Sequence, residues 1–184
     1  PYWKKTESEI IQISIKNTQK LVDLHCKLIV VACNTATTNA IKVLRKKFNI
    51  PIVGIEPAIK PAMLETKSNN IGILATEKTL SSDLFLKTSD RFSKGINIHE
   101  QIGFDLVEII EENGINEELL IPKLREYVEP MLEKNIDHLV LGCTHYYYLM
   151  YLLKKILPNG VKILDSSRAV TKRVKNLLKD YNID

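Results

Sequence analysis

The sequence predicts an α/β fold, with parallel strands and helices covering both faces of the sheet. Short runs of apolar and β-branched residues, such as 28–32 and 50–56, have the length and composition of fully buried strands. Stretches with helical apolar spacing separate them, so strand, helix and strand alternate as in βαβ units. The pattern also occurs twice, in two halves of similar design.

The elements follow in order. Residues 7–20 read as a helix, with Ile10, Ile11, Ile13 and Ile15 at helical spacing, Thr6 as N-cap and Glu9 in the capping-box position. Residues 28–32 are a buried strand. Helical periodicity returns over 37–48 and ends in Arg45-Lys46-Lys47, cations that suit a helix C-terminus. "IPIVGIE", 50–56, is the next strand and 70–76 another, followed by a helix over 79–88. "NIHEQ" is a short strand, 104–113 and 117–135 are helices, and 138–144 is a buried strand. A helix over 147–157, a last strand over 161–166 and a helix over 168–181 complete the chain.

Composition limits the function classes. The 184 residues carry a net charge of +4 that is spread along the chain, and no basic stripe interleaves with aromatics, which argues against nucleic-acid binding. No apolar run reaches the roughly 18 residues that span a bilayer, and no secretory segment opens the chain. Three cysteines without framework spacing argue against a disulfide scaffold, and make the cytoplasm the expected compartment. The chain opens at Pro1-Tyr2-Trp3 without methionine, which suggests a fragment or a processed chain.

Two segments share a design. "LIVVACNT" and "HLVLGCTH" each run an apolar strand into a small residue, a cysteine and a nearby threonine. A second strand ending in a carboxylate follows each, placing Glu56 23 positions after Cys33 and Asp165 22 after Cys143. In parallel α/β sheets ligands bind at the carboxyl ends of strands, where both cysteines fall. A helix start beside each is expected to lower the thiol pKa. Cys26 lacks that setting and reads as inert.

Two such thiols suit several chemistries. Neither belongs to a CxxC motif, so redox work has weak support. Cys33, Cys143 and His145 offer three zinc ligands, without paired spacing to support a metal site. A single nucleophile would leave the other cysteine unexplained. Two opposed bases would use both, and would invert a stereocentre on a carbon acid held between them. Asn34, Thr35 and Thr144 offer donors for carboxylates, Glu56 could hold an ammonium, and His145 could assist proton transfer.

"VVACNTAT" and "LGCTHY" resemble the two signature motifs of the glutamate racemases, within the aspartate/glutamate racemase group. "GIEPAIKPA" and "ILATEKT" fall where that family has further blocks, and "PYW" resembles its Pro-Tyr-Gly segment. The "CTHY" form resembles the glutamate enzymes more than the aspartate ones, which tend to carry "CTE".

The resemblance implies cofactor-independent interconversion of L- and D-glutamate, supplying D-glutamate to peptidoglycan. Cys33 would be the base for the D-enantiomer and Cys143 for the L-enantiomer, with Glu56 and His145 assisting. Pro1, Tyr2, Asn34, Thr35, Thr76 and Thr144 would bind substrate. No metal and no membrane is implied, and a homodimer is left open. The implied fold is two facing α/β lobes, 1–56 plus 164–184 and 57–163.

There are departures. The family usually begins upstream with a strand ending in Asp-Ser-Gly, absent here, so the first lobe is expected to be N-terminally truncated. Gln101-Ile102 replaces a Cys-Pro, and Trp3 a glycine. A non-catalytic amino-acid-binding relative and a racemase acting on aspartate remain as alternatives.

Overall fold

The structure, a computed structural model, describes residues 2–92 and 95–183. After a 3-10 turn at Tyr2–Lys4, α1 (Glu7–Asp23) starts on the expected capping box: Thr6 Oγ1 accepts from the Glu9 N–H, and the Glu9 carboxylate accepts from the Thr6 N–H at 2.7 Å. β1 (Ile29–Val31) and β2 (Ile52–Gly54) pair in parallel, with Ile29 opposite Ile52, and α2 (Asn34–Lys47) crosses between them. Ile29, Ile41, Leu44 and Ile52 form the core of this small unit.

After α3 (Ile59–Glu65), the second sheet is built from β3 (Asn70–Ala75), β4 (Asn97–Ile102), β5 (His138–Gly142) and β6 (Lys162–Leu164), all parallel in the order β4-β3-β5-β6. Between them run α4 (Glu77–Leu80) and α5 (Asp83–Phe92), then α6 (Leu106–Asn113) and α7 (Glu117–Leu132). A 3-10 helix (Thr144–Leu149) and α8 (Met150–Ile156) follow β5, and α9 (Ser167–Asp180) closes the chain.

Alternation of side chains along the strands divides the core in two. Leu74, Leu139 and Leu141 face one way, into Leu106, Leu120, Leu124 and Leu152 from α6, α7 and α8. Ile71, Ile73 and Val140 face the other, into Ile59, Met63 and Phe85 from α3 and α5. Both sheet faces are therefore covered, as fully apolar parallel strands require.

The two sheets meet through α2, which packs on α4 and α5, while α9 packs on β2. Asn39 Nδ2 donates to the Thr35 carbonyl at 2.8 Å and to the Lys78 carbonyl at 3.3 Å, tying α2 to α4. Among the described residues no helix is long and apolar enough to cross a membrane.

α3 (Ile59–Glu65) has no counterpart among the expected elements, and three others differ in their bounds or form. α2 begins at Asn34 rather than residue 37, because its first turn is polar and carries no apolar period. The helix expected over 79–88 is two helices, broken where Ser82 Oγ donates to the Thr79 carbonyl at 2.7 Å and accepts from the Phe85 N–H at 3.4 Å, as an N-cap does. The helix expected from residue 147 is entered through the 3-10 turn, which buries Tyr146 and turns Tyr147 and Tyr148 outward.

Candidate active site

Cys33 and Cys143 end their strands in the same backbone conformation. Cys33 has φ −149° and ψ 124°, Cys143 φ −144° and ψ 136°, and each is the N-cap of the helix that follows. Gly142 makes room for the second. A Cβ there would sit 2.5 Å from the Ala75 Cβ, so only glycine lets β5 end against β3 at this point. Thr37 anchors the first: its Oγ1 donates to the Val31 carbonyl at 3.1 Å and accepts from the Ile55 N–H at 3.0 Å, clasping the ends of β1 and β2.

Both thiols line one cavity of about 480 Å³ between the two sheets, with Tyr2, Lys4, Asn34, Thr35, Thr76, Glu108, Glu111, Glu112, Thr144 and His145. Of the residues expected at the site, Cys33, Cys143, His145, Tyr2, Asn34, Thr35, Thr76 and Thr144 all come together here. Glu56 is not among the lining residues. β2 ends two residues earlier, at Gly54, and the Glu56 carbonyl instead accepts the Ser166 hydroxyl. Pro1 lies outside the described residues.

The thiols are not activated in the manner expected of a helix start. Burial pushes Cys33 above its ordinary value, against opposing N–H groups of Ala36 and Thr35. Burial pushes Cys143 up to about 12, against the N–H groups of His145 and Tyr146 and reinforced by negative charge on Cys33. Desolvation of a thiolate outweighs the partial charge of a helix start at both positions. The two sulfurs are close enough for the charge of one to act on the other.

A chain of groups reaches Cys143. His145 Nδ1 lies 3.9 Å from the Cys143 Sγ, and its Nε2 lies 2.5 Å from Glu111 Oε1. A carboxylate on Nε2 places the ring proton there and leaves Nδ1 facing sulfur as an acceptor. On the other wall, Asn34 is buried and its Nδ2 has no partner among the described residues, an amide donor aimed at the site. Beside it Thr35, Thr76 and Thr79 form a buried ring of hydroxyls, with Oγ1 separations of 3.0, 3.0 and 3.3 Å.

Lys4, Thr79 and the glutamates of α6 were not singled out by sequence. Glu108, Glu111 and Glu112 repeat at i, i+3 and i+4, a face that reads as solvated until the fold turns it into the cleft. Among the described residues no group of three or more His, Cys, Asp or Glu is placed to hold a metal ion.

Residues 7–174 match the Asp/Glu/Hydantoin racemase family. The glutamate racemase of Ralstonia pickettii (strain 12J) is 38% identical over 178 residues, which cover 97% of this chain and 63% of that protein. The chain thus spans less than two thirds of that relative. Among solved structures, Escherichia coli glutamate racemase in complex with L-glutamate and the activator UDP-MurNAc-ala matches 97% of this chain and 68% of that one, at TM-score 0.88 and 34% identity. Francisella tularensis glutamate racemase in complex with D-glutamate matches 99% of this chain and 68% of that one, at TM-score 0.83 and 27% identity.

Proposed function

The chain belongs to the Asp/Glu/Hydantoin racemase family, and on that premise we propose that it interconverts L- and D-glutamate by proton transfer between two thiols, without a cofactor. One observation carries this reading: Cys33 and Cys143, from different sheets, line the same cavity. Racemisation removes the Cα proton from one face and returns a proton to the other, which needs two acid–base groups on opposite sides of one carbon.

From L-glutamate, the Cys143 thiolate takes the Cα proton and leaves a carbanion whose charge spreads into the α-carboxylate. The Cys33 S–H then delivers its proton to the opposite face. Cys143 ends as thiol and Cys33 as thiolate, the state that accepts D-glutamate, and the reverse reaction runs the same steps backward.

The raised thiol pKa values fit this role. A thiolate held above its ordinary basicity is better matched to a weakly acidic C–H, provided something first takes the sulfur's proton. His145 is that acceptor for Cys143, and Glu111 steadies the imidazolium that forms. Asn34, Thr35, Thr76 and Thr144 hold the α-carboxylate, and the α6 glutamates take the ammonium role first assigned to Glu56. The D-glutamate made serves peptidoglycan synthesis, in the cytoplasm.

The test is proton NMR in heavy water with each enantiomer in turn, followed beside circular dichroism. Loss of the Cα–H signal with inversion from both sides is expected. A folded chain that exchanges neither enantiomer would sink the proposal.

A further inference from the structure

The cavity wall made by α6 carries three carboxylates, and a dicarboxylic substrate brings two more negative groups to it. Asn34 and the threonines supply neutral donors, enough for one carboxylate but without charge to offset the glutamates. Lys4 is the one lysine or arginine among the described residues lining the cavity, and its Nζ lies 3.1 Å from Glu108 Oε1.

The two partners come from opposite sides. Lys4 ends the 3-10 turn that packs on α2, beside the small sheet. Glu108 sits on α6, which packs on α7 and on the 3-10 helix after Cys143, beside the larger one. The ion pair therefore bridges the cleft. With the Lys4 side chain 62% exposed it is a weak tie, and exchanging its carboxylate for another costs little.

We propose that Lys4 is the residue that selects amino acids with a second, anionic group: the substrate's side-chain carboxylate takes the place of Glu108 on Lys4 Nζ. This rests on the glutamate reading above. A neutral side chain cannot make the exchange, leaves Lys4 on Glu108, and meets a cleft still bridged.

The experiment follows Cα–H exchange by proton NMR over a range of glutamate concentrations, for the wild-type chain, Lys4→Met and Lys4→Arg, with glutamine as the neutral comparator. Thermal melts by circular dichroism verify that each variant is folded, and Lys4→Gln replaces Lys4→Met should the latter fail to fold. Loss of a charged contact to substrate is expected to raise the KM for glutamate about 10- to 100-fold in Lys4→Met. Its kcat falls by less than about threefold, the split expected of a binding contact.

Lys4→Arg recovers most of the KM, and the preference for glutamate over glutamine shrinks in Lys4→Met by the factor that KM rises. A folded Lys4→Met chain with unchanged KM, or one that weakens glutamate and glutamine alike, overturns the Lys4 assignment and leaves the glutamate reading intact. A wild-type chain that exchanges neither enantiomer overturns that reading, and the Lys4 assignment with it.

Discussion

Glu111 Oε1 lies 2.5 Å from His145 Nε2, on the ring whose Nδ1 faces the Cys143 sulfur at 3.9 Å. Carboxylate, imidazole and thiol thus stand in line, from α6 through the 3-10 helix to the end of β5. The order gives the imidazole a direction, since the ring proton stays toward Glu111 and the lone pair toward sulfur.

The line predicts an asymmetric defect. If the proposed racemisation holds, His145→Asn takes away the group facing the Cys143 sulfur and should slow exchange from L-glutamate by about 100-fold or more. Glu111→Gln keeps a hydrogen bond but loses the charge that steadies the imidazolium, and should cost about tenfold. Single-turnover exchange with each enantiomer separates the two directions. Equal rates for wild type and His145→Asn from L-glutamate would remove His145 from the reaction.

The raised thiol pKa values predict sluggish chemistry toward alkylating agents. An ordinary thiol is half ionised near pH 9.0, whereas Cys143 holds its proton to about 12. Iodoacetamide labelling of Cys143, followed by mass spectrometry in a His145→Asn chain, should therefore still be rising with pH between 9 and 11. A plateau at pH 9 would show that burial does not control the thiol.

The same shift has a stability consequence. Cys143 binds its proton more tightly folded than unfolded, so its contribution is fully present below pH 9 and is lost as pH rises from 9 towards 12. The loss amounts to at most about 4 kcal/mol. Cys143→Ala should move the alkaline unfolding midpoint upward, as read by circular dichroism.

Much of the site is legible because it is local. A strand, a cysteine and a threonine within one short run put Cys33, Asn34, Thr35, Cys143 and Thr144 at a strand end without knowledge of the rest. Lys4, Thr79, Glu108 and Glu111 gain their roles only from elements that meet in space. Glu56 shows the opposite case: its position after a strand looks right, but β2 stops at Gly54 and the residue is not among those lining the cavity. The sign of the thiol shifts was also out of reach. A helix start is visible in sequence, and the depth of burial that outweighs it is not.

Asp137 predicts an acid sensitivity remote from the chemistry. Although burial works the other way, hydrogen bonds from His138, Ser68, Thr66 and Lys67 hold its carboxyl well below the usual carboxylate range. A depressed pKa means stability that is present above the unfolded value, near 3.8, and is lost as pH falls below it. Asp137→Asn should lower unfolding free energy at pH 7 by about 2–3 kcal/mol, with a smaller difference from wild type at pH 3. Asp137 sits just before β5, at the end of the sheet away from Cys143, so the KM for glutamate should not move. Urea unfolding at the two pH values checks the first claim and NMR exchange the second.

The hydroxyl ring of Thr35, Thr76 and Thr79 predicts a coupling that can be counted. Thr35 belongs to α2, beside the small sheet, whereas Thr76 and Thr79 follow β3 of the larger one. Three hydroxyls at 3.0, 3.0 and 3.3 Å make three hydrogen bonds, each group giving one and taking one. Thr35→Val deletes the bonds to Thr76 and Thr79, and Thr79→Val deletes those to Thr35 and Thr76. The bond between Thr35 and Thr79 is lost in both. The double variant should therefore cost less than the sum of the singles, by about one buried hydrogen bond, roughly 0.5–1.5 kcal/mol. Strict additivity in urea unfolding would mean that the ring does not close, and that Thr35 and Thr79 share no hydrogen bond.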